Sequence, residues 1–222
     1  MTTQEKNGIT EGVIWKQLLI FFFPILVGSF FQQLYNTVDS VIVGQFVGKE
    51  ALSSVGGSAG QIISLVVGFF TGVSTGATVI ISQYFGAGKK EEIEESLHTA
   101  YAFALVGGLV LGIAGIVFAP QMLRWMNTPE ELIAESVLYV RVYFSGLIFI
   151  FIYNMGAAIL RAVGDSKRPL YYLIVCCILN IVLDIVLVIV FHMGVAGVSI
   201  ATIFSQGVSA VLVTRALMRS DD

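Results

Sequence analysis

Two carboxylates, Asp39 and Asp184, fall inside long apolar runs of the sequence. An ionised acid at the centre of a membrane helix costs about 2.5–3.5 kcal/mol on insertion scales, so such residues pair, bind or line water. Around each acid the spacing is helical. Gln32, Tyr35, Asn36 and Asp39 fall within an arc of about 100° at 3.6 residues per turn. Asn180 and Asp184 are four apart and stack on one face. Ser199, Thr202, Gln206 and Ser209 form a further polar stripe, and Tyr139, Tyr143 and Asn154 fall near one face of another run. Two acids brought together can share a proton. They can instead bind a hard cation, helped by the amide oxygen of Asn180 and the hydroxyl of Thr202. Asp39 lies 24 residues after Trp15, about 36 Å if wholly helical, which also admits a solvated position at an external interface. Arg141, inside the fourth run, is expected to snorkel or to pair with an acid.

The elements that must position these groups follow from composition. Of 222 residues 56% are hydrophobic and only 12% are charged, against about 25% charged in a soluble domain. At about 20 residues per spanning helix, the apolar content suffices for about six. A soluble enzyme, a disordered chain and a disulfide scaffold are excluded. The thin net charge of −3 offers no basic surface for nucleic acid.

Six apolar stretches run approximately over 15–43, 61–85, 97–119, 132–160, 170–191 and 195–217. Each can cross a hydrocarbon core of about 30 Å as a helix, and none has the strict alternation of a membrane barrel. Polar punctuation is expected at 44–60, 86–92, 124–131 and 161–169, and only His192-Met193-Gly194 separates the last two runs. The fold expected is therefore an all-α integral membrane bundle of six transmembrane helices over 15–218. Residues 1–14 precede it as a polar cytoplasmic segment, and 219–222 are expected to be the start of a linker to a further lobe or a truncated end. With the N-terminus inside, nine Lys and Arg fall on cytoplasmic segments and two outside, which places both termini in the cytoplasm of a multi-pass cell-membrane protein. Gly68, Gly72 and Gly76, and Gly108 with Gly112, recur every four residues and predict close helix packing.

Other chemistry fails on spacing. Gly88-Lys89-Lys90 lacks the pattern of a phosphate loop, and Gly86-Ala87-Gly88 lacks the third glycine of a dinucleotide fingerprint. Cys176 and Cys177 are adjacent in an apolar run and read as small core residues. His98 and His192 fall at opposite ends of the membrane, and no nucleophile has a neighbouring base. No enzyme and no cofactor are expected.

Taken in order, these residues resemble the N-terminal half of a multidrug and toxic compound extrusion (MATE) transporter of the bacterial and archaeal branch. The resemblance rests on Pro24, then Gln32-Gln33-Leu34-Tyr35-Asn36-Thr37-Val38-Asp39 and Val43-Gly44. It continues through Arg161-Ala162-Val163-Gly164-Asp165 with Pro169, then Asn180, Asp184 and Thr202. It implies one lobe of a twelve-helix transporter that expels cationic or amphipathic compounds in exchange for Na⁺ or H⁺. Carried onto this chain, the cation (metal) site is Asp39, Asn180, Asp184 and Thr202, with the carbonyl of Val198. Gln32, Tyr35, Asn36, Tyr139, Asn154 and Gln206 make up a supporting polar network. The partners implied are the bilayer, a small organic substrate and a second six-helix lobe, either a C-terminal half or a second copy. The family has twelve spans, so a lobe of a longer protein is expected, with a self-pairing half-transporter as the alternative. A flippase for lipid-linked saccharides and a non-transporting membrane subunit are the competing functions. The flippase would want a cationic cavity, whereas these faces carry acids.

Overall fold

A computed structural model describes residues 13–219, so the expectations for 1–12 and 220–222 lie outside the described residues. Eight α-helices follow in order: α1 Ile14–Ile42, α2 Lys49–Gly56, α3 Ser58–Gly86, α4 Lys90–Trp125, α5 Glu130–Ser145, α6 Leu147–Ala162, α7 Lys167–Asp184 and α8 Gly194–Met218. Two π-helical segments, Val43–Val47 and Ile185–Val190, continue α1 and α7. No strand occurs among the described residues. Five helical stretches are long and apolar enough to cross a membrane, and α5 with α6 make a sixth if taken as one span bent by 49°. The six-span bundle is thus as expected. One end carries the Gly48, Asn127 and His192 turns, and the other carries Gly88 and Gly164.

Several boundaries differ from the sequence reading. The segment 44–60 is helical rather than a loop. Its breaks are Gly48, whose φ of 128° suits glycine alone, and Gly57. The third span begins at Lys90, so the charged run is its first turns, with Glu91 and Glu92 at the positive end of the helix dipole. The fourth span breaks at Gly146. A side chain there would occupy the space filled by Ile203 of α8, so this glycine lets α8 press into the elbow. The last two spans form the tight hairpin expected, turned by His192 at φ 53° and Gly194 at φ 59°.

Packing centres on α6 and α8. Just over half of the most apolar stretch of the α8 span is buried (56%), against 11% for the α1 span. Phe70 of α3 stacks on Phe151 of α6 at 3.6 Å between ring centroids, and the ring of Phe103 of α4 lies nearly parallel to that of Phe70 at 6.0 Å. With lipid as apolar as leucine, such contacts hold helices together by close packing rather than by water exclusion. Gly108 and Gly112 behave as expected. An added Cβ would lie 2.7 Å from Ile148 Cα and 2.9 Å from Phe144 O. Gly115, missed by the four-residue pattern, is filled by the Phe144 ring. Gly68, Gly72 and Gly76 instead face open space, because spacing marks a smooth face but not what lies against it. Hydroxyls on α3 settle onto their own helix, as Thr71 does onto Val67 O at 2.8 Å and Ser74 onto Phe70 O at 3.0 Å.

Candidate functional site

Asp39 and Asp184 occupy corresponding places. Each stands at or within one turn of the end of its α-helix, immediately before a π-helical segment, and the two π segments touch. Such segments are concentrated at functional sites because they re-aim the residues beside them. Beyond the acids, toward the His192 end, Ile42, Val43, Val188, Val195 and Val198 form a small apolar cluster of their own.

α7 packs against both α1 and α8, and these contacts bring the polar residues together. Asp184 is 0% exposed, Asn180 1% and Thr202 5%. Asn180 Nδ2 donates to Thr202 Oγ1 at 3.4 Å, and Thr202 Oγ1 donates to Val198 O at 3.0 Å. Half-buried Asp39 faces both the Asp184 carboxyl and the Thr202 hydroxyl. Donors are nonetheless scarce. Asp39 Oδ1, both carboxyl oxygens of Asp184 and Asn180 Oδ1 are buried without a hydrogen-bond partner among the described residues. An acceptor buried without a donor costs about 1–3 kcal/mol, more when charged, so an enclosed set of four calls for a positive occupant. Oxygen donors of this kind suit a hard cation, and a proton held between the two carboxyls would answer the same need. Among the described residues no three His, Cys, Asp or Glu side chains are grouped so that they could hold a metal ion.

Three tyrosines surround the acids. Tyr139 lies near both Asp39 and Asp184, Tyr143 near Asp39 and Cys176, and Tyr35 near Asp39, Tyr139, Tyr143 and Cys176. Tyr143 shares the polar face of Tyr139 and joins it beside the acids, an addition to the residues expected at the site. Its ring lies 6.0 Å from that of Tyr139.

Other members of the expected network do not join the acids. Gln32 and Asn36 are exposed on α1, since α1 packs mainly on α7 and only a narrow strip of it is covered. Asn154 sits on α6, past the Gly146 bend, and its amide donates to Ile150 O of its own helix at 2.8 Å. Among the described residues Arg141 pairs with no acid; its Nε donates to Ile116 O of α4 at 3.1 Å. Gln206, 5% exposed, lies one turn along α8 from Thr202, and its Oε1 also lacks a donor. Cys176 and Cys177 are free and buried.

Residues 24–186 match the MatE family model. The chain belongs to the MatE family. Relatives in this family are transporters rather than enzymes. The probable multidrug resistance protein YpnP of Bacillus subtilis (strain 168) is 36% identical over 203 residues, covering 90% of this chain and 45% of its own length. YoeA, a probable multidrug resistance protein of the same organism, is 32% identical over 209 residues, covering 92% and 44%. The chain thus spans about half the length of the curated relatives it matches. Its fold superposes with a TM-score of 0.92, at 26% identity, on a structure described as the outward-facing conformation of a multidrug resistance MATE family transporter of the MOP superfamily. That match covers 100% of this chain and 49% of the other.

Proposed function

We propose that this chain is the cation-binding lobe of an antiporter that exports cationic or amphipathic compounds in exchange for Na⁺ or H⁺. The observation that carries the reading is the set of four buried, donorless oxygens on Asp39, Asp184 and Asn180, closed by the Thr202 hydroxyl. Asp39, Asn180, Asp184 and Thr202 hold the coupling ion. Val198 contributes its carbonyl, which already accepts the Thr202 hydroxyl.

An empty pocket carries up to two negative charges against α1, and a loaded one is closer to neutral. That difference is the force available to move α1 against α7. Pro24 supplies the weak point, since a proline inside a helix removes one backbone hydrogen bond. A change in α1 alters the exposed polar residues Gln32 and Asn36, which are free to meet the exported compound. A second six-helix lobe completes the cavity, because alternating access needs two bundles rocking against each other. Both termini lie in the cytoplasm of a cell membrane, as nine Lys and Arg against two require. Each elementary charge entering down the membrane potential supplies about 2.3 kcal/mol per 100 mV.

The test is efflux of a fluorescent organic cation from vesicles containing the full-length protein, driven by an imposed Na⁺ or H⁺ gradient. Asp39→Asn and Asp184→Asn are expected to abolish the gradient dependence. Gradient-driven efflux unchanged in both variants overturns the reading.

A further inference from the structure

Four of the buried donorless oxygens belong to the pocket above, and a fifth, Gln206 Oε1, lies outside its ligand set. The antiparallel register of α7 and α8 gives its level. Asn180 bonds Thr202, Cys176 lies against Ser205 and Ser209, and the Ser209 hydroxyl donates to Tyr172 O at 3.0 Å. Gln206 is therefore level with Cys176, four residues or about 6 Å along the axis from Thr202, toward the Gly164 end. It is turned only about 40° from Thr202 around α8, so both look the same way. Helical side chains lean toward the N-terminus of their helix, which for α8 points Gln206 back at Thr202. Tyr35 and Tyr143 flank Cys176 at the same level. None of these groups carries a fixed charge. A leucine at 206 would fill the space with no stranded acceptor, so a buried amide there needs an occupant to justify it.

We propose that Gln206 Oε1, with Asn180 Oδ1 above it, marks a second and weaker position for an alkali-metal cation, through which the ion passes between the acid pair and the Gly164 end of the bundle. The inference rests on the cation-binding reading of the acids. A neutral amide oxygen attracts a cation but holds it less firmly than two carboxylates, which is the property of a passing place rather than a resting place. The oxygens descend in order: Asp184, then Asn180 one turn on, then Gln206.

The experiment uses the full-length protein in lipid nanodiscs. Equilibrium binding of ²²Na⁺ gives affinity and stoichiometry, and ²³Na NMR relaxation gives the rate of exchange. Gln206→Leu is expected to keep Na⁺ affinity within about twofold while slowing exchange about tenfold, since a barrier raised on the path slows entry and release alike and leaves their ratio unchanged. Gln206→Glu, nearly the same shape, is expected to bind one additional Na⁺ per chain. Exchange in Gln206→Leu as fast as wild type, or no additional ion in Gln206→Glu, overturns the proposal. So does a larger affinity loss in Gln206→Leu, which would make Gln206 a ligand of the acid pocket itself. If wild type binds no Na⁺, or Asp184→Asn binds it as wild type does, the sodium form of the antiport reading fails first and this inference fails with it.

Discussion

Asn180 of α7 donates its amide to the hydroxyl of Thr202 on α8 at 3.4 Å, and this contact sets the level at which the last two spans meet. The turn at 191–193 is too short to let the helices slide, so once Asn180 meets Thr202, Asp184 must come level with Val198. The amide oxygen of Asn180 is left without a donor among the described residues, as are both carboxyl oxygens of Asp184. Everything proposed for the chain grows from that register and from the docking of α1 on α7.

Arg141 tests whether the acids need a basic partner. Its guanidinium bonds the backbone of α4 and is absent from the acid pocket. Arg141→Leu is expected to leave cation-dependent efflux intact, with a stability cost of about 1 kcal/mol for the lost backbone contact. Loss of coupling with unchanged folding would place a third charge in the pocket and contradict the geometry above.

The glycines on α3 and α4 are predicted to behave oppositely. Gly115→Ala drives a methyl group into the Phe144 ring and is expected to destabilise the lobe by about 1–3 kcal/mol, as overpacking does. Gly72→Ala meets nothing within 4 Å and loses no packing in this lobe. Thermal unfolding of the two variants in detergent separates them. Equal melting temperatures would mean that the α4–α5 contact yields more easily than its geometry indicates.

The turn between α6 and α7 is held by Asp165, whose Oδ1 accepts from the backbone N–H groups of Lys167 and Arg168, each at 3.1 Å, and whose Oδ2 meets Arg168 Nε at 3.0 Å. Gly164 at φ 92° lets the chain double back there. Asp165→Ala is expected to cost about 1 kcal/mol through the lost cap, and Asp165→Asn to recover much of it. Because this turn lies at the opposite end of α7 from Asp184, cation affinity is expected to stay unchanged. A large affinity change in Asp165→Ala would show that this end of α7 is coupled to the pocket.

The parts of the site that were legible in the sequence are those fixed by local geometry. A spacing of four puts Asn180 and Asp184 on one face of any helix, and a three-residue turn fixes which residues of the next helix oppose them. The meeting of Asp39 with Asp184 was the longer step, and it was legible because an acid within an apolar run needs a partner. What escaped depends on neighbours. Gln32 and Asn36 share the arc of Tyr35 but fall outside the strip of α1 that α7 covers. The Ser145-Gly146 pair is a weak break signal inside the run 132–160, and what gives it force is Ile203, which fills the space a side chain at 146 would need. The π-helical turns after the acids share no composition: Val43–Val47 holds Gly44 and Gln45, whereas Ile185–Val190 is wholly apolar and mostly β-branched.

The central claim is that Asp39 and Asp184 belong to one pocket and hold one ion between them. A double-mutant cycle on cation affinity in the full-length protein measures this most directly. The account predicts strong non-additivity: Asp39→Asn and Asp184→Asn each weaken binding, and the double variant is little worse than the weaker single one. The interaction energy should fall within about 0.5–3 kcal/mol, the range for residues in contact. Losses that simply add, to within about 0.5 kcal/mol, would make the two acids independent sites and contradict the account.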